Sequence, residues 1–170
     1  MIIVLNGPLG IGKSTLAETL AESIDHCVML DGDHLVAVNP PPLDEMEFLH
    51  STIALLVAHC RRFGYHHFVI NHLWRTAADL ADLRSRLLAV GSDGDIGCFL
   101  LTLPLDENLR RIERRQSARA MDEHEFERRT VAEERAALFE RLNGDLGEPF
   151  DVSASPGHLV ASILLRLGLR

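Results

Sequence analysis

Lysine is almost missing from this chain. Lys and Arg together number 17, and all but one of them are arginine. A base-composition bias can produce such an imbalance, so the count alone proves nothing, but the place of the exception matters. Lys13 stands in Gly12-Lys13-Ser14. A guanine-recognition motif of the form N-K-x-D needs a lysine of its own, so the chain has none. Cysteine is scarce as well, with Cys27, Cys60 and Cys98 widely spaced, odd in number and outside any C-x-x-C or Cys/His ligand pattern. That excludes a disulfide framework and a zinc knuckle, and predicts free thiols in a reducing compartment. Aromatics are 5% of the residues, with one Trp and one Tyr. No apolar run approaches the ~18 residues a membrane-spanning helix needs. Met1 leads straight into Ile2-Ile3-Val4-Leu5 with no basic leader, and the expected location is cytoplasmic. The formal net charge is −8. Such a surface repels a phosphate backbone, so neither nucleic acid nor membrane is expected as a partner, and the oligomeric state is left open.

The residues that are present point to one folded domain over residues 1–170. The hydrophobic fraction is 46%, enough for a core without staples. Short β-rich runs alternate with longer helical patterns, which predicts an α/β fold with a mainly parallel sheet. Strands are expected at Ile2–Asn6, Cys27–Asp31, His67–Asn71, Ile96–Thr102 and Phe150–Ser153. The first is a continuous apolar run, as a central strand buried on both faces requires. Helices are expected from Lys13, over Asp44–Arg62, over Ala77–Ala89, from Asp106, over Glu123–Leu142 and from Pro156 behind a Ser155 cap.

Gly7-Pro8-Leu9-Gly10-Ile11-Gly12-Lys13-Ser14 fits G-x-x-x-x-G-K-[ST] between a strand and a helix. The glycines let backbone N–H groups turn onto phosphate oxygens, and the positive end of the following helix adds to them. Gly7, Gly10, Ile11, Gly12, Lys13, Ser14 and Thr15 are therefore the expected phosphate cradle. Lys13 supplies the charge for the β- and γ-phosphates and Ser14 a hydroxyl for Mg²⁺. The third strand ends in Asn71, so it offers no carboxylate of the kind motor and transport ATPases use. The acids that remain are in Leu30-Asp31-Gly32-Asp33. Read as extended strand, Asp31 and Asp33 point the same way into the ligand edge of an open sheet. One then serves a metal-bound water while the other takes the proton of an acceptor hydroxyl. A bland acidic turn, with Gly32 at positive φ, explains the same letters.

The glycine loop together with Leu-Asp-Gly-Asp after the second strand resembles the small-molecule kinases of the nucleotide-kinase-like P-loop group. That group includes gluconate, adenylylsulfate and shikimate kinases, chloramphenicol phosphotransferase and tunicamycin-resistance-type proteins. The resemblance implies a three-layer sandwich, a five-stranded parallel sheet in the order 2-3-1-4-5 with helices on both faces, and a small helical lid over about residues 115–130. It implies ATP and Mg²⁺ as cofactors, Asp33 as base and Asp31 as its metal-side partner, and it places the family's R-x-x-x-R on Arg111 and Arg115. Those two arginines are the expected nucleotide contacts, with Arg115 acting on the transferring group. Acid-first i, i+4 pairs Asp106–Arg110 and Glu107–Arg111 give the arginine helix a plain, solvated alternative.

The chain departs from the family where acceptors are read. No arginine comes soon after Asp33, Asn71-His72-Leu73 replaces a glycine triplet, and Pro42-Leu43-Asp44-Glu45-Met46-Glu47 has no arginine. An acidic sugar acceptor is thereby disfavoured. Asn71-His72-Leu73, with the helix, strand and arginine helix after it, looks closest to the tunicamycin-resistance type. The acceptor is expected beside His34, Asn39, Asn71, His72, Trp74 and Arg75, with Trp74 read either as a stacking face or as a cap on the core. The expected activity is transfer of the γ-phosphoryl group to a hydroxyl of an antibiotic, sugar or similar metabolite. The alternatives are a nucleoside or nucleotide kinase, and an ATP-binding regulatory or resistance protein without fast transfer.

Overall fold

A computed structural model describes residues 1–91, 95–115, 121–139 and 145–168, and gives the backbone alone for residues 115 and 121–125. The strands are β1 (Ile2–Asn6), β2 (Cys27–Asp31), β3 (His67–His72), β4 (Ile96–Thr102) and β5 (Glu148–Asp151). The helices are α1 (Lys13–Glu22), α2 (Gly32–Leu35), α3 (Glu45–Arg61), α4 (Ala77–Ala89), α5 (Leu105–Arg115), α6 (Met121–Phe139) and α7 (Pro156–Arg166). The sheet is parallel and runs β2-β3-β1-β4-β5, the order that the resemblance implies.

β1 shows why its first four residues are all apolar. Ile3 and Leu5 enter the cluster formed with Leu16 and Leu20 of α1 and Leu159 and Ile163 of α7. Ile2 and Val4 enter the opposite cluster, with Leu49, Ile53 and Val57 of α3 and Leu83 and Leu87 of α4. Alternate residues of one strand thus feed two cores, and each side chain is buried. At about 1.5–3 kcal/mol for each large aliphatic side chain removed from water, β1 anchors both layers.

Several limits shift by one to three residues, among them the end of β3 and both ends of α6, and two differences bear on the site. The last strand lies at Glu148–Asp151 rather than Phe150–Ser153. Asp151 Oδ1 accepts the Ser153 N–H at 2.7 Å, and it also takes the Ser153 hydroxyl, so the chain turns there. Pro149 is tolerated because β5 is an edge strand. The second difference is α2, for which no local pattern gave a reason. Asp31 caps it, its Oδ1 accepting the Asp33 N–H at 3.0 Å. Of the expected lid, residues 116–120 lie outside the described residues, as do residues 140–144, where the helix expected over Glu123–Leu142 was to end.

No disulfide joins Cys27, Cys60 and Cys98. Burial pushes the Cys27 thiol up to about 11 and the Cys98 thiol up to about 12. Native protein at pH 8 should therefore leave both unalkylated by iodoacetamide over an hour, as read by intact and peptide mass spectrometry. Rapid modification of either thiol in folded protein would contradict that burial. Among the described residues no helix is long and apolar enough to cross a membrane.

Candidate active site

The parallel register carries three strand ends to one edge. Leu5 pairs with Asn71, Asn6 with His72, and Asp31 with Asn71. The chain leaves β1 at that edge through the loop Gly7–Gly12 and enters α1. Gly10 and Gly12 hold φ values of 73° and 106°, where a side chain is strained. A Cβ on Gly10 would also sit 2.3 Å from the Ile112 side chain. No side chain caps the start of α1, so its first-turn amides suit an anion. Lys13 Nζ donates to the carbonyls of Gly7 at 2.7 Å and Pro8 at 3.1 Å, across the mouth of the loop.

Asp31 is the hub of the edge. Its Oδ2 accepts the Ser14 hydroxyl at 3.1 Å and the Asn71 Nδ2 at 2.9 Å, while Oδ1 caps α2. Among the described residues, the buried Asn71 Oδ1 has no hydrogen-bond partner. Asn71 therefore orients Asp31; it is 1% exposed and does not line the cavity that Lys13 and Asp33 share, contrary to its expected place against an acceptor.

Asp33 does not lie on an extension of β2. It sits in the first turn of α2, with its Oδ1 2.8 Å from His72 Nδ1. The Asp33 side chain is 66% exposed and that of His72 8%. With His72 as the donor, the carboxylate is held from its buried side and left open on the other. The hydrogen bond from His72 keeps Asp33 below the usual carboxylate range; partial burial opposes this, and the charges of His72, Lys13 and His34 assist it. Gly32 is not a positive-φ glycine. A Cβ there would lie 2.7 Å from the His72 ring, so glycine is needed for the close approach of α2 to β3.

Lys13 and Asp33 line one cavity of about 510 Å³ with Leu9, Leu43, Met46, His72, Leu73 and Arg75. Asp44, Glu45, Asp79 and Glu134 complete the wall. Arg75 is mostly exposed and lies 3.6 Å from Glu134. His34 is exposed on α2 and is not part of the wall. Of the two readings of Trp74, the core one matches the structure. The residue is 0% exposed. Its indole Nε1–H donates to His50 Nε2 at 3.0 Å, and its ring meets His72 edge-on. No face is available for stacking, and Leu43 and Met46 supply the apolar wall instead.

A second cavity of about 230 Å³ lies on the other side of the loop, lined by Ile11, Gly12, Thr15, Arg111, Arg114, Val152, Ala154 and Pro156 among others. Arg111 bridges its walls, donating to Ile11 O at 3.0 Å and Val152 O at 2.8 Å. Arg110 instead pairs with Asp106 at 2.6 Å and Glu107 at 2.9 Å on the solvated face. The Arg115 side chain lies outside the described residues.

Sequence reasoning missed Glu134 and Asn108, and it placed His72 at the acceptor edge without linking it to Asp33. Asn108 and Glu134 are buried polar side chains. Both bind the loop tip, Glu134 accepting the Leu9 N–H at 2.7 Å and Asn108 donating to the Leu9 carbonyl at 3.1 Å. A polar residue in a helix otherwise patterned for solvent gives no local signal of such a contact. His72 had one, since it ends a strand beside the loop.

No protein-family model matches the sequence, and no curated protein matches it. Solved structures do. The tunicamycin resistance protein of Deinococcus radiodurans superposes with a TM-score of 0.71 at 19% identity, covering 99% of this chain and 96% of that one. A gluconokinase from Sinorhizobium meliloti 1021 gives 0.69 at 18% identity, with 98% and 90% covered. Shikimate kinase from Aquifex aeolicus gives 0.60 at 16% identity, with 99% and 96% covered. The chain therefore has the P-loop nucleotide-kinase-like fold. Identities this low carry the fold and no particular substrate.

Proposed function

We propose that this chain is an ATP-dependent phosphotransferase that moves the γ-phosphoryl group of ATP to a hydroxyl of a small molecule. One observation carries the reading: the phosphate-loop lysine and a carboxylate open on one side face the same cavity, with His72 holding Asp33 from behind. ATP fits with its phosphates on the loop amides and Lys13, and its base toward the cavity beside Arg111 and Val152–Pro156. The acceptor then lies between Asp33 and the γ-phosphorus. Its oxygen attacks phosphorus, the bond to the ADP oxygen breaks, and the hydroxyl proton passes to the open Asp33 oxygen. His72 fixes the other oxygen and turns the open one to the acceptor.

The donor set near the loop fits Mg²⁺. Ser14 Oγ and Asp31 Oδ2 are hard oxygen ligands 3.1 Å apart, and the buried, unpartnered Asn71 Oδ1 is an acceptor suited to a water of the ion's shell. Among the described residues no cluster of three or more His, Cys, Asp or Glu forms a metal cage. One or two protein oxygens completed by phosphate and water suit magnesium. When bound, Mg²⁺ would neutralise phosphate charge.

The cavity wall bears on the acceptor. It holds five carboxylates, Asp33, Asp44, Glu45, Asp79 and Glu134, against Lys13 and Arg75. Lys13 serves the nucleotide and Arg75 pairs with Glu134. This supports a neutral or amine-bearing alcohol over a carboxylic acid. A nucleoside acceptor loses the stacking support that Trp74 was expected to give.

The test pairs binding with turnover. Lys13→Met should weaken MgATP at least tenfold, about the strength of one charge-assisted contact. With Mg²⁺, ADP release by the unaltered protein should rise with neutral or amino alcohols from a panel of sugars, antibiotics and nucleosides. It should rise less with the matching acids. Tight ATP binding with no acceptor-stimulated ADP release would favour an ATP-binding regulator and end the phosphotransferase reading.

A further inference from the structure

The tip of the phosphate loop is held from outside by the helices that come after β4. Glu134 of α6 accepts the Leu9 N–H at 2.7 Å through Oε2. Asn108 of α5 donates to the Leu9 carbonyl at 3.1 Å and is approached by the Arg135 guanidinium at 3.4 Å. Glu134 Oε1 lies 3.6 Å from Arg75, a mostly exposed side chain. A carboxylate in this place is unexpected, because loop amides otherwise serve phosphate oxygens. A backbone carbonyl or a Gln could receive the Leu9 N–H without bringing a negative charge to an anion site.

Lys13 fixes how near that charge is to the nucleotide. Its Nζ binds the Pro8 carbonyl at 3.1 Å, in the peptide unit that contributes the Leu9 nitrogen. With peptide geometry and the 2.7 Å Glu134 contact, the carboxylate oxygen lies within about 8 Å of the ammonium. Lys13 reaches the β- and γ-phosphates in this motif. Glu134 also lines the cavity into which Lys13 and Asp33 face, on the acceptor side, where the γ group rather than the α- or β-phosphate would project. That range is no more than a Debye length in physiological salt, and Glu134 is only 7% exposed, so screening is weak.

We infer that Glu134 is a specificity-determining residue that sets the preference between ATP and ADP, by placing a fixed negative charge beside the γ-phosphoryl position while holding the loop tip. The inference rests on the nucleotide site proposed above. ADP lacks the group that meets this charge, so Glu134 lowers the affinity for ATP selectively. It raises the ground state of the bound donor before transfer, and Arg75 tempers the effect. Once the phosphoryl group has left for the acceptor, the charge no longer opposes the nucleotide that remains.

Calorimetric titration with MgATP and MgADP, without acceptor, tests this apart from turnover. Glu134→Gln keeps an oxygen for the Leu9 N–H and removes the charge. It should tighten MgATP about tenfold and change MgADP less than twofold. Glu134→Asp keeps the charge but shortens the reach to Leu9, and its ATP-to-ADP affinity ratio should stay within about twofold of the unaltered protein's. Thermal unfolding of both variants identifies loss of the fold, which would change both nucleotides together. An unchanged ratio in Glu134→Gln, or an equal rise in Glu134→Asp, overturns the inference and leaves the nucleotide site standing. Failure of the unaltered protein to bind either nucleotide overturns both.

Discussion

Asp33→Asn should lower kcat by about 10³-fold and leave the MgATP dissociation constant within about twofold. The size comes from the role. A positioned general base contributes roughly 10²–10⁴-fold, and asparagine offers no basic oxygen for the acceptor proton. Its amide is nearly isosteric and can still meet His72 through its oxygen, so the cavity keeps its shape. In the proposed site, ATP affinity rests mainly on the loop amides and Lys13, which Asp33 does not position. The pH profile adds a second reading. Because the His72 hydrogen bond depresses the folded Asp33 carboxyl, the proposed base is already ionised at ordinary carboxylate pKa values. Activity should hold as pH falls through that range and decline only on passing the depressed value. Steady-state kinetics with an acceptor found by the ADP-release panel measure kcat, and calorimetry measures binding. Near-normal turnover in Asp33→Asn would remove Asp33 as base.

The site was legible in the sequence where chemistry is local and obscure where it depends on partners far along the chain. Glycine spacing and one lysine located the loop between β1 and α1, since a loop between strand and helix is a local object. β1, β2, β4 and α4 lie at their predicted limits because their patterns match their burial. The Asp31–Asp33 pair was recognised for the wrong geometric reason. Alternation along a strand would have turned both carboxylates the same way, but the Asp31 cap ends the strand and starts α2. The partner of Asp33 then comes from 39 residues away, at His72. Glu134 lies 125 residues from Leu9 and Asn108 lies 99. No spacing rule reaches that far without the topology, and the sheet order that would have supplied it fixes strand neighbours rather than side-chain partners.

Trp74→Ala should destabilise the fold by about 3–5 kcal/mol, the usual range for removing a buried indole. A Trp just past the loop-side histidine reads equally as an exposed stacking face or as a core residue, and the fold turns it inward. Asn6 explains how. Its side chain accepts the Trp74 N–H at 3.0 Å and donates to the Trp74 carbonyl at 3.0 Å, which draws the backbone after β3 back over β1. The indole then fills the core beside Phe68, Ile70 and Leu83. Its N–H meets His50, whose Nδ1 is 2.8 Å from Asp82. That chain fixes a tautomer: Nε2 must accept from the indole, so Nδ1 carries the proton toward Asp82. Trp74→Ala therefore opens a cavity and leaves His50 Nε2 without its donor. For a chain of this size each kcal/mol moves Tm by about 2–4 °C, so Tm should fall by at least about 6 °C. Trp74→Phe separates the causes, since it fills most of the space and loses only the hydrogen bond. Its expected cost is about 1–3 kcal/mol, that of one buried group left unsatisfied. Urea unfolding followed by far-UV circular dichroism measures both variants. A loss below about 1 kcal/mol in Trp74→Ala, under the range for a buried indole, would mean that the indole does not sit in the core, and would return Trp74 to the acceptor side as a stacking surface.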